Sequence, residues 1–303
     1  MKNFAAIRRV LIITLLLNLV ATLAKLIVGY LTGSLSLVAD GFDSVFDSAS
    51  NVIGLVGIYI AARPADEEHP YGHRKFEAMA AISISILLFL TFVQLVESAW
   101  ARLRAPEAIA PVVNVWSFGA LLVSIVVHIV VVSYEYRKGK ELKSEVLIAD
   151  ALHTRADILV SVSVIAGLIA VRLGFPIVDP ILALIIAVVI AKIGVDIIRS
   201  GSQVLLDRVA VDSGEIERIA RSVPGVTTVH RVRSRGLEDD VHIDLHVRVD
   251  PSMPTEQSHS IAHEVQRRLL AEVPGTQDVI VHIEPEPGKD AGGRRAHYSN
   301  SSA

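Results

Sequence analysis

The residues best equipped for chemistry are acids and an imidazole set at helical spacing inside apolar runs. Asp43 and Asp47 lie in one run, His153 and Asp157 in another. Side chains four apart stack on one helix face with Cβ atoms about 6 Å from each other. Two antiparallel helices packed side by side would then present one nitrogen and three carboxylate oxygens to a shared point. Four such ligands at about 2.0–2.2 Å suit zinc, and mixed N/O donors also suit cobalt, iron, cadmium or manganese. There is no cysteine, so neither a thiolate ligand nor a disulfide enters the account.

Placement gives these residues their weight. A carboxylate at the bilayer centre costs roughly 2.5–3.5 kcal/mol on insertion scales, and several cost on the order of 10 kcal/mol if nothing is bound in return. A metal-free proton relay and an interhelical hydrogen-bond network are the alternatives, the second being an expensive way to hold helices together. Asp40 and Asp150 accompany the two pairs, but orienting a neighbouring helix and hydration near a helix end explain them without a ligand role. His128, with no acid three or four positions away, reads as a packed histidine.

Two further groups of donors lie outside the apolar runs. One is the stretch Asp66-Glu67-Glu68-His69-Pro70-Tyr71-Gly72-His73, which fits a solvated loop as well as a metal site. The other is His230, His246, His259, His282 and Glu284, spread over the last third of the chain, where metal binding and plain exposure are both open. His242 and His263 read as surface residues.

The elements that must position these groups follow from hydropathy. The chain of 303 residues is 51% hydrophobic, with a mean hydropathy of +0.50 and a formal net charge of −3. That composition points to a membrane protein and argues against a nucleic-acid partner. Six stretches are long and apolar enough to span, near 10–32, 36–62, 77–103, 112–136, 145–173 and 178–200. Lys2, Arg8, Arg9, Arg63, Arg74, Lys75, Arg137, Lys138, Lys140, Lys143, Arg199 and Arg208 fall on one side, against Arg102, Arg104 and Arg172 on the other. Twelve against three predicts both termini in the cytoplasm. Past residue 205 the pattern changes to helix 213–222, strand 226–235, strand 240–250, helix 255–273 and strand 278–284. The expected organisation is therefore a membrane domain over 1–205, a cytoplasmic α+β domain over 206–287, and a disordered tail over 288–303.

With these pieces in order, the chain resembles the cation diffusion facilitators over nearly its whole length. The matching stretches are Gly33-Ser34-Leu35-Ser36-Leu37-Val38-Ala39-Asp40, then Asp43-x-x-x-Asp47, then Asp66-x-x-His69-x-x-Gly72-His73-x-Lys75. Ala149-Asp150-x-x-His153-x-x-x-Asp157 and Leu205-Leu206-Asp207-Arg208 complete them. The resemblance implies a homodimer in the cell membrane that exports a cytosolic divalent metal in exchange for protons by alternating access. It implies a transport site at Asp43, Asp47, His153 and Asp157, and a lesser loop site at Asp66, His69 and His73. Lys75 and Asp207 would interlock at the membrane boundary of the dimer. The cytoplasmic αββαβ domain would be metallochaperone-like, with a regulatory metal site at His230, His246, His259, His282 and Glu284, the last standing where relatives often carry Asp. Zinc is the first expectation for the metal, with cadmium, iron, cobalt and manganese beside it. Metal ligands must shed protons to bind, and an imidazole with a reference pKa near 6.5 makes His153 the natural residue to couple the two ions. A membrane-anchored sensor or scaffold and a passive channel are the rival readings. No nucleophile–base set or phosphate loop supports an enzyme.

Overall fold

In the computed structural model the described residues are 3–32, 38, 41, 42, 44, 45, 47–104, 115–173, 175 and 177–287. They divide into two compact units that part after Leu205.

The first unit is all helix. It contains α1 (Phe4–Thr32), α2 (Ala49–Ala61), α3 (Lys75–Arg104), α4 (Val115–Glu141), α5 (Glu145–Arg172) and α6 (Val178–Leu205). Residues 41, 42, 44, 45 and 47 are helical ahead of α2. A helix of 28 residues is about 42 Å long, more than the roughly 30 Å of hydrocarbon it must cross. Hydropathy finds only the oily part of such a helix. Accordingly α1 starts at Phe4 and α6 runs to Leu205, beyond the expected spans at 10 and 200. Among the described residues α1, α3 and α6 are long and apolar enough to cross a membrane by length and composition. The apolar run of α5 is interrupted by Asp150, His153, Arg155 and Asp157.

The bundle buries polar side chains beside an apolar cluster and leaves many large aliphatic ones outside. Thr14, Asn51, Glu77, Glu135, Asp150 and His153 are buried, while Val20, Leu31, Val123 and Val188 are exposed. That is the distribution a lipid solvent selects, since hydrocarbon gives an inward-facing apolar side chain no advantage. Small residues let helices approach closely. A Cβ on Gly57 of α2 would lie 2.3 Å from the Ala80 Cβ of α3, and one on Gly201 of α6 would meet Ile82 at 2.9 Å.

The second unit follows the order α7 (Ser213–Arg221), β1 (Thr228–Leu237), β2 (Asp240–Val249), α8 (Thr255–Glu272) and β3 (Thr276–Pro285), the expected αββαβ sequence. Asp212 caps α7, its carboxylate accepting from the Gly214 and Glu215 backbone N–H groups at 2.9 and 3.2 Å. β1 pairs antiparallel with β2, and β2 parallel with β3, the latter through the crossover helix α8. One face of β2 (Val241, Ile243, Leu245, Val247, Val249) packs against Ile216 and Ile219 of α7 and Ile261, Val265 and Leu269 of α8. Between His230 and Arg233 the β1 register slips by one residue, with Arg231 at φ 50°. This bulge re-aims the strand. It keeps His230 on the open face, opposite His246, while Val229 and Ser234 are buried.

Candidate metal centres

The first centre forms where the helical segment ahead of α2 meets α5. One ligand atom each from Asp47, His153 and Asp157 lies within 4.8 Å of the others. Ligands bonded at about 2.1 Å around a tetrahedral ion stand about 3.4 Å apart, so this set must draw in by about an ångström. His153 is 2% exposed, and neither of its ring nitrogens has a hydrogen-bond partner. A buried donor–acceptor pair left unsatisfied costs about 1–3 kcal/mol per group, an arrangement expected where a ligand completes the shell. Asp43 and Asp40 lie outside the described residues.

The depth of this centre is fixed from both sides. Ser144, just before α5, accepts from the Leu147 N–H at 3.4 Å and donates to Glu77 of α3 at 2.7 Å. The start of α5 is thereby capped and fastened to α3. On α2, Asn51 donates to Asp150 and to Thr14 (3.4 Å) and accepts from Asn18 at 3.0 Å. Thr14 in turn donates to Glu135 of α4 at 3.0 Å. One turn from Asp47, a single amide thus ties α1, α2 and α5 together.

A cavity of about 10 Å³ opens beside the centre, walled by Asn18, Thr22, Ser44, Asp47, His128 and Asp157. His128 therefore borders the site, contrary to the expectation of a merely packed histidine. Scanning for acids along its own helix missed it because its acidic neighbours belong to other helices. Lys25, Asn51 and Glu135 were also missed. For His128, Lys25 and Glu135 the available signal was the ionisable residue inside an apolar run, whatever its sign.

The second centre is the α2–α3 loop, where Asp66, His69 and His73 offer ligand atoms within 4.8 Å of one another. Gly72, at φ 80°, makes the turn that brings His73 back toward Asp66. The His73 Nδ1 faces the Pro64 carbonyl at 3.1 Å, leaving Nε2 toward Asp66 at 3.4 Å. Metal-binding histidines are commonly oriented through such a carbonyl contact. A hydrogen bond from the His69 backbone N–H, followed by the attraction of His73, holds the Asp66 carboxyl below the usual range.

The third centre lies on the open face of the sheet. His230, His246 and His282 occupy one register row across β1, β2 and β3. His246 Nδ1 lies 2.8 Å, and His230 Nε2 3.1 Å, from opposite oxygens of Glu284. Those three residues form the cluster with ligand atoms within 4.8 Å, while His282 Nε2 stands 3.8 Å from Glu284. The His246 hydrogen bond, then the nearby His230 and the other imidazoles, hold Glu284 below the ordinary carboxylate range. Partial burial and the Arg248 guanidinium push His230 down, favouring its neutral, metal-binding form.

His259 is not brought into this row. It lies on α8, which packs on the opposite face of the sheet, and its Nε2 stands 3.0 Å from that of His263. Lys75 begins α3, and Asp207, at φ 54°, lies 3.9 Å from Arg235 within the second unit. The expected tail over 288–303 lies outside the described residues.

Comparison with known proteins matches the same two parts. A family model described as the cation efflux transmembrane domain covers residues 11–206, and one described as the cation efflux protein cytoplasmic domain covers 210–286. An uncharacterised transporter of Methanocaldococcus jannaschii is 34% identical over 92% of this chain and 98% of its own length. The manganese efflux system protein MneS of Bacillus subtilis is 31% identical, covering 88% and 91%. The cation-efflux pump FieF of Serratia proteamaculans is 31% identical, covering 87% of each. Among solved structures, a MamM-CTD structure is 30% identical, covering 24% of this chain and 92% of that one at a TM-score of 0.24.

Proposed function

The chain belongs to the cation diffusion facilitator family of membrane transporters for divalent metal efflux, and from that premise we propose that it exports a transition metal, zinc first, from the cytoplasm in exchange for protons. Cadmium, iron, cobalt and manganese remain in the candidate set, manganese because the Bacillus subtilis relative carries that name. The single observation that carries the reading is His153. A buried imidazole with both nitrogens unsatisfied stands within 4.8 Å of two carboxylates from a second segment and from its own helix.

The cycle follows from competition for one set of groups. With the site open to the cytoplasm, Asp43, Asp47, His153 and Asp157 lose protons and take the metal, which cannot bind protonated ligands. After the bundle rocks to face outward, protons displace the metal and the protonated carrier returns. His153 is the coupling residue because an imidazole changes charge near physiological pH. The active form is a homodimer in the cell membrane with both termini in the cytoplasm. Residues 1–205 act as the carrier, and residues 206–287 as the metal-sensing, dimerising domain. Lys75 and Asp207 interlock the dimer, and the loop site (Asp66, His69, His73) serves as an entry station. His230, His246, His282 and Glu284 form the regulatory site, and His259, on the far face, takes no part in it within one chain.

Purified protein in sealed vesicles tests this directly. An imposed pH gradient should drive zinc uptake, and Asp47→Ala should reduce it at least about 100-fold while the variant still folds and dimerises. Flux indifferent to the gradient would make the protein a channel, and absence of flux would make it a sensor or scaffold.

A further inference from the structure

Among the described residues, Lys25 is the one lysine or arginine buried in the helical unit, at 6% exposure. It lies seven residues before the end of α1, about 10 Å along the axis. A lysine at that depth normally extends its stem toward the interface and keeps its ammonium wet. Lys25 instead turns inward. Its Nζ donates to Ser44 Oγ at 3.0 Å, and Ser44 walls the same cavity as Asp47 and Asp157. Its charge is also near enough to Asp157 for the two to attract. Thr22 and Asn18, one and two turns earlier on α1, line that cavity as well. Thus α1 presents a continuous polar stripe to the site and ends it with a fixed positive charge. The titratable groups around the cavity are Asp47, His128 on α4, and His153 and Asp157 on α5, with Asp150 one turn from His153.

We propose that Lys25 is a fixed positive charge beside the transport site that keeps the metal loose enough to leave. The inference rests on the transport reading given above. The Lys25 ammonium is anchored on Ser44, which walls the same cavity as Asp47 and Asp157, so it repels an incoming cation and competes for the carboxylates that would hold it. Lys25 touches no substrate and acts through the carboxylates, as a positioning residue that sets affinity against turnover.

The test compares Lys25→Met, Lys25→Arg and Ser44→Ala with the wild type in the same vesicles, alongside calorimetric titration of each full-length protein with zinc. Methionine keeps the stem and removes the charge. A unit charge lost beside a divalent ion, at an effective dielectric near 20, is worth at least about tenfold in affinity. Lys25→Met should therefore lower KM and Kd for zinc about tenfold or more and lower kcat in parallel, because release slows. Lys25→Arg should keep both within about threefold of wild type. Ser44→Ala, which removes the hydrogen bond from the Lys25 ammonium, should shift KM in the same direction by a smaller factor. A Lys25→Met variant that loses kcat with KM and Kd unchanged would reduce Lys25 to a structural role. If Lys25→Met fails to fold, Lys25→Gln takes its place, and an unchanged KM and Kd there overturns the proposal just as well. Absence of gradient-driven uptake in the wild type would instead remove the transport reading itself, so the two failures are distinguishable.

Discussion

At the scale of single residues, the third centre differs from the first in what holds its ligands before a metal arrives. His246 already hydrogen-bonds one oxygen of Glu284 and His230 faces the other at 3.1 Å, so a metal there replaces existing contacts. His153 has none to give up. Deleting one sheet ligand should consequently be milder: His230→Ala is expected to weaken zinc binding to the cytoplasmic domain about 10–100-fold while pH-driven uptake persists. Complete loss of flux in that variant would count against the division of labour. The pH dependence has a definite sign. Because His230 is held below the ordinary histidine value and Glu284 below the ordinary carboxylate value, protons compete poorly for either. Protons should displace the metal from His230 only as pH drops through its lowered value, read by zinc titration of the full chain at stepped pH. Much of this residue chemistry was legible beforehand. Asp47, His153 and Asp157 stand out because an ionisable group in an apolar run needs a reason. Lys25 and Glu135 carry the same signal and were passed over, because only groups able to ligate a metal were weighed.

At the scale of elements, the centre depends on how closely α2 and α3 pack. A side chain on Gly57 would collide with Ala80 of α3, and both helices are tied into the site through Asn51 and through Glu77 with Ser144. Gly57→Val should cost about 1–3 kcal/mol by forcing the pair apart. It should lower the unfolding temperature in detergent and, by displacing Asp47 from α5, raise the zinc KM. An unchanged Tm would show that the helices part without penalty. The existence of these helices, and of the α7-β1-β2-α8-β3 order, was readable from period and punctuation. Register was not. The bulge after His230 depends on Arg231 adopting a left-handed conformation, which no alternation of apolar residues announces, and it is what aligns His230 with His246 and His282. His259 was grouped with the sheet histidines by residue type, whereas α8 turns its apolar stripe to the core and leaves His259 beside His263.

At the scale of the whole molecule, the two units bury different things: the second an aliphatic core, the helical unit a set of polar and ionisable groups beside its aliphatic cluster. The cavity beside Asp47 and Asp157 measures about 10 Å³, which is about one water molecule's occupancy. A cation cannot bring its escort of waters into so small a berth and must arrive stripped. Magnesium parts with its inner waters reluctantly, whereas zinc accepts a four-ligand shell readily. A magnesium ion should then be disfavoured by the work of undressing it, without any ligand having to recognise it. A large molar excess of magnesium should leave zinc uptake unchanged in vesicles, while cadmium or cobalt at equal concentration should compete. The narrowness of one small void would then do the sorting that the ligands, all of which magnesium can also bind in part, do not.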